Sequence, residues 1–238
     1  MSEKRDELIG QIIETVRQTG AHYGLWLAEA VHQMGLERAL EAEAEAGDRL
    51  TGIVERKLAK VLGGEGLKDL FAGLDETALT DLGKELRTAW LAADGVWFQA
   101  VEGMAGMDDA KRVNDTCWSR FAPLEASRAM AALGLARGGG LEALKECLAQ
   151  RMYAHINDWE IVDETPTSFI FRMNRCRVQT ARVRKGLADY PCKSGGTVEY
   201  TSFARQVDPR IVTECVACPP DEHPAQWVCS WRFTLDCP

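Results

Sequence analysis

The period of the hydrophobic pattern changes once along this chain, and that change constrains the fold more than any other feature. Up to about His155 the apolar residues recur at helical spacing, as with Leu8, Ile12, Ile13 and Val16, and later Leu79, Leu82, Leu86, Ala89, Ala93, Val96, Trp97 and Ala100. From Trp159 they alternate, as in strands with one buried face. Helices followed by a small, mainly antiparallel sheet make an α+β fold. The expected division is a helical region over residues 1–140 and an α+β, cysteine-rich region over 141–238.

Glycine and proline punctuate this frame. A first helix over 3–18 is expected to stop at Gly20, a second covers 22–34, and a third runs over 36–62 to the stop at Gly63, Gly64 and Gly66. Asp75 is a candidate N-cap for a long helix closed by Gly103 and Gly106. Helices over 108–120 and 123–135, the second opened by Pro123, and over 141–155 complete the helical half. A weak repeat at an offset of 71 residues aligns Gly24-Leu25-Trp26 and Gly35 with Gly95-Val96-Trp97 and Gly106, which fits either a duplicated helical hairpin or two helices with similar packing demands. Beyond it, a hairpin over 159–164 and 168–173, helices over 178–185 and 198–206, and strands over 210–216 and 226–235 are expected, with Trp227, Cys229, Trp231, Phe233 and Leu235 on one face.

Charge and cysteine are spread unevenly. The net charge of −8 lies entirely in residues 1–150, which hold 25 acidic and 17 basic residues against 11 of each afterwards. An acidic helical half has no coherent basic face for phosphates, so nucleic acid is not an expected partner. Neither a membrane span nor a secretion signal is read from the sequence, and a cytoplasmic setting is expected. Six of the eight cysteines, Cys176, Cys192, Cys215, Cys218, Cys229 and Cys237, lie in the last 63 residues. Reduced thiols in such a cluster point to a metal before a disulfide framework.

Cys215-Val216-Ala217-Cys218 is a C-x-x-C at the end of an expected strand, with Cys192 upstream and Cys229 on the last strand. Two thiols across a turn can face one ion, and two from other elements can complete a tetrahedral site, so Cys192, Cys215, Cys218 and Cys229 form the expected zinc set. Free core or redox thiols and an iron–sulfur cluster are the alternatives, and Cys176 could stand in for Cys192. Glu214 and His223 are secondary ligand candidates, while Cys117, Cys147 and Cys237 read as ordinary buried or terminal residues.

Nine basic residues between Arg172 and Arg210 face only Asp189, Glu199 and Asp208 within the same stretch. Either this segment docks on acidic residues elsewhere, or it clamps an anionic ligand through Asn174, Arg177, Gln179 and Arg182 at a strand-to-helix junction.

The runs Cys176-Arg177-Val178-Gln179-Thr180-Ala181-Arg182, Tyr190-Pro191-Cys192-Lys193-Ser194, Cys215-Val216-Ala217-Cys218-Pro219-Pro220-Asp221 and Cys229-Ser230-Trp231-Arg232-Phe233 resemble an uncharacterised bacterial cytosolic family, as does Val96-Trp97-Phe98-Gln99-Ala100-Val101-Glu102. That resemblance implies no established activity. More distantly, the order of helices and sheet is similar to the L-2-amino-thiazoline-4-carboxylic acid hydrolase-like family and to the hydrocarbon-binding 4-vinyl reductase domain. The latter implies a structural zinc beside a small-ligand pocket, at positions matching Cys192, Cys215 or Cys218, and Cys229. Three functions compete: a zinc-stapled protein binding a small, in one version anionic, ligand; a hydrolase of a small cyclic amide or amino-acid-like substrate; and an iron–sulfur or dithiol redox protein. Neither a Ser-His-Asp arrangement nor H-E-x-x-H is visible, which places binding first.

Overall fold

The computed structural model describes residues 3–63, 69, 71–186 and 189–236, so Gly64, Gly66 and Cys237 lie outside the described residues. The chain divides into two compact units, Met1–Gly73 and Leu74–Pro238. Residue 140, the division expected from the sequence, falls inside the second unit.

In the first unit, α1 (Glu3–Met34) and α2 (Leu36–Leu62) form a hairpin with the single residue Gly35 between them. Gly20 does not stop α1. A helical glycine costs about 1 kcal/mol, but it ends a helix only where the chain takes a non-helical turn, and that turn is made at Gly35, with φ 82° and ψ 163°.

The second unit opens with the same device. Helices α3 (Glu76–Ala105) and α4 (Met107–Leu133) are joined by Gly106 alone, with φ 85° and ψ 173°. The Gly35 and Gly106 N–H groups donate to Val31 and Glu102, their carbonyls accept from Ala39 and Ala110, and both alanines are 1% exposed. Every one of these pairs is separated by the 71-residue offset, so the repeat is a repeat of structure. Asp75 caps α3 as expected, its Oδ1 accepting the Ala78 N–H at 2.8 Å. Of the two glycines expected to close α3, the helix passes through Gly103 and ends at Gly106, and α4 continues through Pro123. Ala122, Pro123 and Ala126 are buried there, so packing offsets the backbone hydrogen bond that proline removes.

Next come α5 (Gly140–Gln150) and a 3-10 turn over Met152–His155, which replaces the end of the helix expected over 141–155. Strands β1 (Asp158–Val162), β2 (Ser168–Arg175), β3 (Ile211–Ala217) and β4 (Cys229–Leu235) form one antiparallel sheet in the order β1-β2-β4-β3. Between them lie α6 (Arg177–Arg184) and α7 (Lys193–Val207), the latter five residues longer at its start than expected. Cross-strand register puts Ile161, Phe171, Trp231 and Cys215 in one row, and Trp159, Met173 and Cys229 in the next. Helix α7 covers this face. The Tyr200 ring lies 4.9 Å from that of Trp231, and a Cβ on Gly196 would stand 2.6 Å from the indole, so only glycine admits so close an approach. Trp227 is not part of this face: β4 begins at Cys229, and the Trp227 ring lies under Arg172 at 5.5 Å. No helix among the described residues is long and apolar enough to cross a membrane.

A buried ion group ties α4, α7 and the turn after α5 together. Arg151, 2% exposed, donates from Nε to Glu125 at 2.8 Å and from an Nη to Glu199 at 2.6 Å, while the Met152 N–H binds the other Glu125 oxygen. Burial works against the guanidinium charge, but the two carboxylates outweigh it, and Arg151 is held more firmly protonated than a free arginine. Burial also pushes the Glu199 carboxyl up, against the pull of Arg151. Removing the cation strands two buried carboxylates, so Arg151→Met is expected to cost roughly 3–5 kcal/mol of stability by urea denaturation. Adding Glu125→Leu and Glu199→Leu should recover much of that loss. A single variant as stable as the parent would show that the group is not required.

A second tie closes the far end of α7. The enclosed Asp208 carboxylate accepts from the Arg210 backbone and guanidinium and from the Gly140 N–H. The Arg210 side-chain bonds, first among these, hold its pKa down to about 2 against an ordinary 3.8. A lowered folded-state value means stability that is present above the ordinary pKa and lost as pH falls toward the folded one. Between about pH 4 and pH 2 the parent should therefore lose about 1–2 kcal/mol more than Asp208→Asn, a range reduced for the half-exposed Arg210. Parallel stability curves for the two proteins would contradict this.

Candidate functional site

The thiols meet where α7 begins. Cys192 is the N-cap of α7, its N–H donating to Tyr190 O and its carbonyl accepting from Gly196, each at 2.8 Å. A bulge between Cys215 and Ala217 shifts the register of β3, and the chain then turns Cys218 inward to 1% exposure. The Lys193 N–H donates to Pro219 O at 2.9 Å, which holds the two segments together and sets Cys192 Sγ 3.5 Å from Cys218 Sγ. The Cys229 thiol, which the Val228 N–H to Met173 O bond fixes at the start of β4, lies near enough to act on Cys218. On the outside, Lys193 Nζ holds both Asp221 oxygens at 3.0 and 2.8 Å.

Contact with Cys218, and then the Gln179 amide, lowers the Cys192 pKa. The neighbouring Cys192 and Cys229 thiols, and then burial, raise that of Cys218. Burial pushes Cys215 up to about 11 and Cys176 up to about 12.

The four-thiol metal site expected from the sequence is not assembled as such. Among the described residues no group of three or more His, Cys, Asp or Glu side chains is arranged to hold a metal ion. Cys215 is half-buried opposite Trp231 in the β3–β4 ladder. Glu214 is engaged with Arg232 at 3.5 Å, and His223 faces Asp189 at 3.9 Å and stacks on Trp227. The donor chemistry nevertheless suits a soft cation: with Zn–S of about 2.3 Å, neighbouring sulfurs of a tetrahedral site stand about 3.8 Å apart, close to the Cys192–Cys218 separation.

The proposed anion clamp is put to other uses. Gln179 is buried, its amide donating to Tyr190 O at 2.8 Å and to Cys192 Sγ at 3.5 Å and its oxygen accepting the Tyr190 N–H, so it braces the Cys192 loop. Arg177 is exposed and its backbone N–H bonds Asn157, Arg182 is half-buried and engaged, and Asn174 is half-buried on β2. Arg172, Arg175, Lys193 and Arg210 pair with Glu160, Asp158, Asp221 and Asp208. Local partners thus neutralise much of the basic segment.

The sequence reading missed an apolar cleft of about 320 Å³ between α3 and α4, lined by Trp90, Trp97, Phe98, Cys117, Trp118 and Phe121 around Asp94 and Asn114. Burial raises the Asp94 carboxyl above the ordinary aspartate value. Trp90 and Trp118 both pack on Tyr153, at ring separations of 5.1 and 5.8 Å, so one wall rests on the domain core. The signal was present: Asp94 interrupts the apolar stripe of Trp90, Ala93 and Trp97 on one helix. None of Asn174, Arg177, Gln179 and Arg182 lines this cleft or the one between α1 and α2.

No curated protein and no solved structure matches the chain, so the more distant resemblances to the hydrolase-like family and the 4-vinyl reductase domain gain no support there. One family model does match, over residues 72–235, a stretch that takes in the thiols, the sheet and the cleft. That stretch is more than half of the chain, and the protein belongs to the family of unknown function DUF6125.

Proposed function

We propose that the protein binds a small molecule and that its sheet is stapled to α7 by one zinc ion on thiolates. The observation that supports the staple is the 3.5 Å contact of Cys192 with Cys218, beside the Cys229 thiol that acts on Cys218. Cys192, Cys218 and Cys229 would hold the ion, and Cys215, on the same sheet face, would supply the fourth sulfur. Four thiolates leave no position open for substrate, so such an ion contributes folding energy and no Lewis-acid chemistry. The small-molecule half of the proposal is supported by the α3–α4 cleft, whose volume lies at the lower end of the range for ligand pockets.

The purified protein should carry about one zinc per chain by elemental analysis. Cys218→Ser and Cys215→Ser should each abolish that content and lower the melting temperature, whereas Cys117→Ser should leave the metal in place. Full metal retention in both of the first two variants would reject the site. Iron with a visible absorption band would replace zinc by a cluster.

A dithiol reading is favoured by the 3.5 Å separation of Cys192 and Cys218, which a small movement would turn into a bond. It predicts metal-free protein in which oxidised glutathione links those two cysteines and is itself reduced to two thiols.

A further inference from the structure

The two hairpins allow a comparison within one chain. Shifted by 71 residues, the α1–α2 cleft residues Thr19, His22, Tyr23, Trp26 and Leu50 fall on Trp90, Ala93, Asp94, Trp97 and Phe121 of the α3–α4 cleft. In the first hairpin Tyr23 donates to Glu43 at 2.9 Å, tying one helix to the other. The matching positions in the second are Asp94 and Asn114. There the tie is absent: Asn114 donates to Asp115, and the Asp94 carboxylate has no hydrogen bond or ion pair among the described residues. Where the first hairpin has threonine and leucine, the second has Trp90 and Phe121. The first cleft carries a hydrogen bond between its two helices, and the second keeps a carboxylate without that tie among aromatic rings.

From this arrangement we infer that the α3–α4 cleft is a binding site for a small organic cation, an ammonium group carrying an aromatic or short alkyl body. Aromatic faces attract a cation through the ring quadrupole, more strongly when water is excluded, and the carboxylate supplies the counter-charge. An uncompensated carboxylate in an apolar wall is costly, and a cationic ligand removes that cost. Further acidic groups lie near the cleft, while Arg120 opposes Asp94 at the lining Cys117. Asp115, Asp94 and Glu102 all act on nearby Tyr190, whose ring meets Phe98 edge-on at 5.1 Å and whose buried hydroxyl has no partner among the described residues. Lys111 is engaged over the Tyr190 ring and on Pro191 O at 2.6 Å. Trp97, 73% exposed, stands at the mouth, where it can close over a ligand without loss of core packing.

This inference rests only on the small-molecule half of the proposed function. The test uses the full chain, with benzyltrimethylammonium as probe, neopentylbenzene as its uncharged isostere and phenylacetate as the anion, read by tryptophan fluorescence and calorimetry. Saturable binding of the cation is expected, weakened at least tenfold by Asp94→Asn and severalfold by Trp97→Leu, with melting temperatures showing that both variants fold. The neutral isostere should bind more weakly and ignore Asp94→Asn. Absence of cation binding, equal affinity of parent and Asp94→Asn, an isostere binding as tightly as the cation, or phenylacetate binding in its place would each overturn the assignment. If Asp94→Asn does not fold, unchanged cation affinity in Trp97→Leu overturns it instead. Zinc content distinguishes the two readings: a protein without zinc that binds the cation loses the staple and keeps the cleft, and a zinc protein indifferent to the cation does the reverse.

Discussion

The second unit is organised around a single buried guanidinium. Arg151 lies where α5 gives way to the 3-10 turn and reaches Glu125 on α4 and Glu199 on α7, three elements far apart in sequence. Because two carboxylates share one cation in a site walled by Tyr153, Tyr200 and Phe203, none of the three can shift without exposing an uncompensated charge to an apolar surrounding. The angle of α7 follows from this, and with it the contact of Gly196 with Trp231 that seats the helix on the sheet. Cys192, as the N-cap of α7, is delivered to Cys218 by the same placement.

The tyrosines link that charge group to the cleft. Tyr153 lies against Arg151 on one side and against Trp90 and Trp118 on the other, so the aromatic wall of the cleft is continuous with the packing around the guanidinium. Tyr190 connects the cleft to the thiols in a similar way, with its ring on Phe98 and its backbone gripped by Gln179, whose amide also touches Cys192. Cleft, charge group and thiols are therefore neighbours in one packed unit.

Much of the fold was legible in the sequence because local pattern decided it. The β1–β2 hairpin, the extent of β3, the bounds of α2 and the capping of α3 by Asp75 follow from alternation, turn residues and cap chemistry. Elements whose limits are set by partners distant in sequence were not legible: α4 runs through Pro123 because Ala122 and Ala126 are buried around it, and α7 starts at Lys193 because its first turn docks on Pro219. The site divides along the same line. The gathering of cysteines could be read from their positions, but Cys215 belongs to the sheet ladder, and only the β3 register reveals that. Gln179 was recognised for its donors, and nothing in the sequence says that the Tyr190 backbone occupies them. Asp94 went unread because a lone acid on an apolar stripe acquires meaning only when the facing helix is seen to bring more rings.

The reversal at Gly35 has a mechanical side. A helix of about 30 residues is about 45 Å long, and between α1 and α2 a single residue in a backbone conformation that other residues rarely adopt makes the turn. On an arm of that length, ten degrees of rotation at the glycine displaces the far end by about 8 Å. Along the arms the buried apolar side chains are few, with Ala39, Leu40 and Ala59 the described ones, so little interlocking resists the swing. The first hairpin is a pair of long levers on one pivot, with the Tyr23–Glu43 bond as a stay between them.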